Sequence, residues 1–152
     1  MRKWVVSILS VIIVLIYNIN TFAFEEIKTK YFGVGATVEE IEQATFIVKT
    51  KGEDTGEGFV FTPEEEINSG EKVTFQVSLE GNGTVFIKLV ETDANGKYIN
   101  EHSSPMILLT SDWKKYHISA PLNKATNQVD VLVITDGTQR TEFQFRDANV
   151  VK

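Results

Sequence analysis

The chain of 152 residues contains no cysteine, which removes disulfides, thiolate metal centres and cysteine nucleophiles from consideration. Histidine is scarce as well. His102 and His117 are far apart in the chain and have no cysteine partner, so they do not form a zinc pattern. No serine stands in a nucleophile motif, and no two carboxylates are marked out as an acid/base pair for glycoside cleavage. Positive charge is in deficit, 15 basic against 21 acidic residues for a formal net charge of −6. A phosphate-binding surface draws on basic residues, so nucleic acid is excluded as an expected partner.

One apolar run is present, and it lies at the start. Arg2 and Lys3 precede an apolar stretch from Trp4 to Tyr17, and Thr21-Phe22-Ala23 comes just before the acidic Phe24-Glu25-Glu26. The stretch is interrupted at Asn18 and Asn20, short of the roughly 18 apolar residues a spanning helix requires. A basic start, an apolar centre and small residues near the end read as a secretory signal peptide, 1–23, with cleavage after Ala23. The expected product is a secreted chain beginning at Phe24, with no membrane partner after cleavage. Without Arg2 and Lys3 it is two charges more negative. The absence of cysteine from an exported chain favours a bacterial source. The remainder, 24–152, is the size of one domain that can bury a single core without disulfide staples.

Glycine and asparagine punctuate this remainder. The segment from Phe24 to Gln43 reads as irregular, with an acidic run at Glu39, Glu40 and Glu42. Strand signals begin at Thr45 to Lys49, followed by a glycine-bearing loop, Gly52 to Gly58, and a short strand, Phe59 to Phe61. Pro63 and Glu64 to Glu66 read as a solvated turn. Lys72 to Leu79 alternates cleanly, with Val73, Phe75, Val77 and Leu79 on one face and Thr74, Gln76 and Ser78 on the other. Gly81-Asn82-Gly83 turns the chain back through Thr84 to Thr92, whose core face carries Val85, Ile87 and Leu89. Further strands are expected at Lys97 to Ile99, Met106 to Leu109, Lys114 to Ser119, Val129 to Thr135 and Glu142 to Val151. Turns fall at Asn95-Gly96 and Asp136-Gly137. No amphipathic helix follows the leader, so the pattern predicts an all-β sandwich of antiparallel strands.

The segments "SGEKVTFQVSLEG", "VFIKLVETDANGK", "ILLTSDWKKYHIS" and "TEFQFRDANV" follow one another in an order that resembles the secreted carbohydrate-binding modules of the jelly-roll, galactose-binding-like class, of the cellulose- and xylan-binding type. The resemblance covers roughly residues 44–151. It includes a leucine-threonine, two residues, tryptophan pattern at Leu109, Thr110 and Trp113, with Tyr116 three residues on. It implies a jelly-roll β-sandwich of two antiparallel sheets that binds carbohydrate and performs no chemistry. The last strand departs from the family's pattern of two aspartates, because Arg146 occupies the first position. Relatives use an acidic residue in this strand, with ligands from the N-terminal segment, to hold a structural calcium ion. The position that would carry over as ligand is Asp147, and a guanidinium beside it opposes a cation. No other cofactor is implied.

Sugar recognition combines aromatic platforms for the apolar ring face with planar polar groups for the hydroxyls. Facing away from the core by alternation are Gln76, Phe86, Lys88, His117, Gln144 and Arg146. A single sheet surface bearing Gln76, Phe86, Lys88, Gln144 and Arg146 is therefore the expected ligand site. Phe86 can alternatively pack beneath a loop. Tyr31, Phe32 and Tyr98 can form an end-on rim site, or Tyr31 and Phe32 can pin the N-terminal segment to the core. Trp113, from its place in the pattern, reads as a packing residue. The functional reading is a secreted, non-catalytic carbohydrate-binding module. The alternative is an extracellular structural or protein-interaction sandwich. Two close carboxylates in a deep groove would instead indicate a polysaccharide-active enzyme on the same scaffold.

Overall fold

The computed structural model describes residues 30–63, 70–137 and 139–152, which form eleven strands. The expected leader and the Glu64 to Glu66 turn lie outside these residues. The strands are β1 (Tyr31–Val34), β2 (Ala36–Glu42), β3 (Thr45–Thr50), β4 (Gly58–Phe61), β5 (Lys72–Gly81) and β6 (Thr84–Thr92). They continue as β7 (Tyr98–Ser103), β8 (Ile107–Leu108), β9 (Lys114–Pro121), β10 (Gln128–Thr135) and β11 (Glu142–Val151).

All pairings are antiparallel and make two sheets. The β6 sheet has the order β1-β4-β10-β6-β7, with β8 also paired to β6; the β5 sheet has the order β2-β3-β11-β5-β9. Each sheet thus combines one hairpin, β2–β3 or β6–β7, with pairings between strands distant in sequence, such as β11 with β5 and β10 with β6.

The inner faces carry the residues that the period-2 pattern assigns to the core. Val73, Phe75, Val77 and Leu79 of β5 meet Val85, Ile87 and Leu89 of β6 and Val129, Val131 and Val133 of β10, all buried. Fully burying such side chains contributes about 1.5–3 kcal/mol each, an upper figure because unfolded chains already hide some surface. An aromatic cluster closes one end of the core. Phe145 stacks on Phe59 with centroids 4.0 Å apart and on Phe46 at 5.0 Å, and Tyr31 meets Phe145 and Phe46 edge-on at 4.8 Å. Such ring pairs add about 0.5–1.5 kcal/mol beyond area burial.

The segment expected to be irregular, up to Gln43, instead contains β1 and β2. Tyr31 faces in and Phe32 faces out, and Gly35, with φ of 58°, carries the chain from the edge of one sheet to the edge of the other. The acidic run that disguised β2 sits on an edge strand, where charge discourages pairing with another chain. Only Ala36 and Val38 of that strand pack against the core.

Two buried carboxylates pin the connections. Glu91 is fully buried; it accepts hydrogen bonds from Thr126 Oγ1 and from Asn123 N at 2.8 Å, and lies 3.0 Å from His102 Nε2. Burial pushes its carboxyl up, but the bonds from Thr126, Asn123 and His102 outweigh this and hold it below the ordinary value. Glu57 accepts from the amides of Gly52 (2.6 Å), Glu53 (3.0 Å) and Asp54 (3.1 Å), which fixes the loop before β4.

Candidate functional site

Registry across each sheet determines which residues share an outer face, because directly paired residues point to the same side. On the β6 sheet one row runs Phe32, Val60, Leu132, Lys88 and Ser103, and the next runs Val34, Gly58, Ile134 and Phe86. These two rows are largely apolar, while the rows beyond carry Asp130, Glu101 and Gln128. A groove of about 520 Å³ lies there between Phe86, Lys88, Ser103, Ile134 and the loop residues Thr55 and Gly56. Lys88 Nζ is engaged by Glu101 at 2.9 Å.

The β5 sheet presents a different surface. Its rows run Glu39, Ile47, Gln144 and Glu80; then Thr45, Arg146, Ser78 and Lys115; then Asn149, Gln76 and His117. Gln76, Gln144 and Arg146 therefore belong together here, whereas Phe86 and Lys88 lie on the opposite side of the molecule. The single surface of five residues expected from sequence does not exist. Alternation within a strand reports whether a side chain faces in or out; which sheet the strand joins is set by long-range pairing, here β11 with β5 and β10 with β6.

Trp113 is the residue the sequence reading misplaced. It is half-buried and outside the core, and its ring lies under the Arg146 guanidinium, 4.3 Å from ring centroid to Cζ. Lys114 pairs with Leu79, which places Trp113 level with Glu80 on the outer side of the β5 sheet. The signal was present: counting back by two from Ile118 and Tyr116, both packed inward, puts Lys114 in phase with the core and Trp113 out of phase. A cation held over an indole is attracted by the ring's negative face. The arrangement also places a five-donor fork at the surface, with the Arg146 side chain 45% exposed.

Above this stack the outer face continues into a cavity of about 270 Å³ lined by Glu80, Asn82, Ser111, Glu142 and Gln144, among others. Gly81, also in its lining, holds φ at 146°, and an added Cβ there would meet Phe143 Cβ at 2.8 Å. Two of its lining residues are carboxylates. Glu142 is exposed and Glu80 half-buried.

Asp147 follows Arg146 at a β-bulge, with φ of 55°. Its Oδ2 accepts a hydrogen bond from Ser78 Oγ at 3.1 Å and lies 3.8 Å from Arg146 Nε. The carboxylate is thus engaged by a hydroxyl and faces a guanidinium, whereas a calcium ion needs six to eight oxygen ligands. Among the described residues no group of three or more His, Cys, Asp or Glu could hold a metal ion.

The rim aromatics do not converge. Tyr31 is part of the core ring cluster, where burial raises its hydroxyl above the usual value. Phe32 and Tyr98, 62% and 57% exposed, sit on β1 and β7, opposite edges of the β6 sheet.

No protein-family model matches the sequence, and no curated protein matches it either. Solved structures do. The chain aligns over 81% of its length with the CBM22-1 and GH10 modules of endo-1,4-beta-D-xylanase 10B from Clostridium thermocellum, solved with xylohexaose, at TM-score 0.65 and 15% identity, and spans 26% of that chain. A CBM4 structure aligns over 80% of the chain and 94% of its own, at TM-score 0.58 and 14% identity. A family 29 carbohydrate-binding module, a point mutant of CBM29-2 solved with cellulohexaose, aligns over 80% of each chain at TM-score 0.57 and 14% identity. The chain therefore has the jelly-roll β-sandwich fold of the carbohydrate-binding modules. At these identities the likeness establishes the fold.

Proposed function

We propose that the chain is a secreted, non-catalytic carbohydrate-binding module that holds a glycan across the outer face of the β5 sheet. The observation that carries the reading is the Arg146–Trp113 stack with Gln144 and Gln76 in the rows on either side of Arg146. A sugar ring offers an apolar face and a rim of hydroxyls, and this surface offers an aromatic ring with planar donors and acceptors around it. Amides on a rigid sheet need little reorganisation to bind, which lowers the entropic cost of association. The fold supports the reading: neighbours of the same architecture were solved with xylohexaose and cellulohexaose. A half-buried aromatic stacked with an arginine among amides also favours sugar over the protein-contact alternative. The openness around Glu80 and Glu142 favours binding over hydrolysis.

The test is a glycan array with residues 24–152, followed by titration calorimetry of a captured glycan against Gln144→Ala and Gln76→Ala. Each truncation is expected to cost about 1–3 kcal/mol of binding, the penalty for leaving a ligand hydroxyl unpaired, while urea unfolding stays near wild type. Capture of no glycan, or full affinity in both variants, would refute the proposal.

A further inference from the structure

The outer face of the β5 sheet is electrostatically lopsided. Glu39, Glu80 and Glu142 occupy the rows at one end, with Lys49 opposite Glu142. Toward the other end come Arg146 and Lys115 in one row, His117 in the next and Lys72 beyond it. Lys115 and His117 are exposed and make no ion pair among the described residues. Carboxylates at this end include Asp147, already engaged by Ser78 and Arg146, Glu42 at the sheet edge two strands from Arg146, and Glu71 beside Lys72. A chain of net charge −6 thus gathers cations on half of one face.

We infer that the ligand of this face is an acidic glycan, one bearing carboxylate or sulfate groups, with Arg146 gripping one anionic group and Lys115 meeting a second; this rests on the glycan-binding reading above. Arg146 is pre-organised for the task. Trp113 holds the plane of the guanidinium and Asp147 occupies the Nε side, which leaves the terminal nitrogens to donate in the paired geometry that suits a carboxylate. Lys115 lies two strands away in the same row, about 10 Å at the usual inter-strand spacing. An extended chain with charges repeated along it can meet both cations at once. Gln76 lies between their strands in the row beside them and is placed for an intervening hydroxyl. The overall negative charge repels a polyanion at long range, so attraction that survives must be local to this patch.

The experiment is affinity electrophoresis and calorimetry of residues 24–152 with polygalacturonate, carboxyl-reduced polygalacturonate, dextran sulfate, dextran, and the neutral oligosaccharides xylohexaose and cellohexaose. Binding to polygalacturonate or dextran sulfate, but not to its uncharged counterpart, is the expected result, and which of the two binds identifies carboxylate or sulfate. Affinity should weaken as salt rises, as for any pairing of partly exposed charges. Arg146→Gln should lose about tenfold or more in Kd, Arg146→Lys should recover only part of it because the fork is gone, and Lys115→Gln should lose several-fold. Unfolding midpoints and retention of Phe86→Ala binding control for folding and for the opposite face. Binding to xylohexaose, cellohexaose or another neutral glycan alone would overturn the inference and leave the glycan-binding function intact. Binding to no glycan would overturn both.

Discussion

Replacing Trp113 by alanine separates a binding role from a packing role. A buried tryptophan in a core costs about 3–5 kcal/mol on truncation to alanine. Trp113 is not in the core; the described contact it would lose is the Arg146 guanidinium over its ring. A cation–π contact at a partly exposed site contributes about 0.5–1 kcal/mol. The expected loss of stability is therefore about 1 kcal/mol, a fall in Tm of roughly 4 °C for a domain of this size. Binding should suffer more, because the same truncation removes an aromatic surface and frees the Arg146 side chain from its fixed plane. A central aromatic anchor is worth about 2 kcal/mol or more, which is roughly a thirtyfold rise in Kd. Urea unfolding and calorimetry with a captured glycan, on the same preparation, decide the matter. A stability loss of about 3–5 kcal/mol with affinity unchanged would refute the placement of the ring on the outer face.

Phe86→Ala should leave glycan affinity unchanged, since Phe86 lies on the β6 sheet facing away from Arg146; a loss measured by calorimetry would move the site to the opposite face. Glu91→Gln should destabilise the fold by about 1.5–3 kcal/mol, because a carboxylate receiving bonds from Asn123, Thr126 and His102 becomes an amide. The pH sign follows from the lowered carboxyl of Glu91: its contribution is present above the unfolded carboxylate value of about 4.3 and is lost as pH falls through the lower folded value. Urea midpoints between neutral and acid pH should accordingly fall less steeply in Glu91→Gln than in wild type, and equal slopes would contradict the assignment. Gly58→Ala should destabilise by about 1–3 kcal/mol or more, because the new Cβ would meet the Val133 carbonyl oxygen at 2.0 Å within the β4–β10 ladder; an unchanged thermal melt would count against that register. Chelator should not shift Tm, and a drop of several degrees, abolished in Asp147→Ala, would show that a calcium ion is held after all.

The core was legible because burial and local alternation coincide. Val73 through Leu79 and Val85 through Leu89 occupy inner faces as their period-2 pattern requires. Turn chemistry was equally local: Asp93 accepts from the amides of Asn95 and Lys97 around Gly96, which has φ of 74°. β1 and β2 were not legible, since each lies at a sheet edge and buries only part of one side. β1 gains its strand character from β4, a partner outside any local window, while β2 pairs with β3 across a tight turn at Gln43 and Ala44, where Ala44 takes a left-handed φ of 58° that its residue type does not signal.

The site was half legible, for a reason that Arg146 and Asp147 make concrete. Strict alternation would send two consecutive residues to opposite faces, yet both lie on the outer face of the β5 sheet. Phe145 packs inward before them and Ala148 after them. The extra residue is accommodated by the bulge between Arg146 and Asn149, where Asp147 takes a left-handed φ of 55°. That bulge brings the Asp147 carboxylate back to Ser78 and toward Arg146, and so commits it to orienting the guanidinium over Trp113. An aspartate that reads as a metal ligand by position in the family pattern is turned, through one inserted residue, toward Ser78 and the arginine that lies over Trp113.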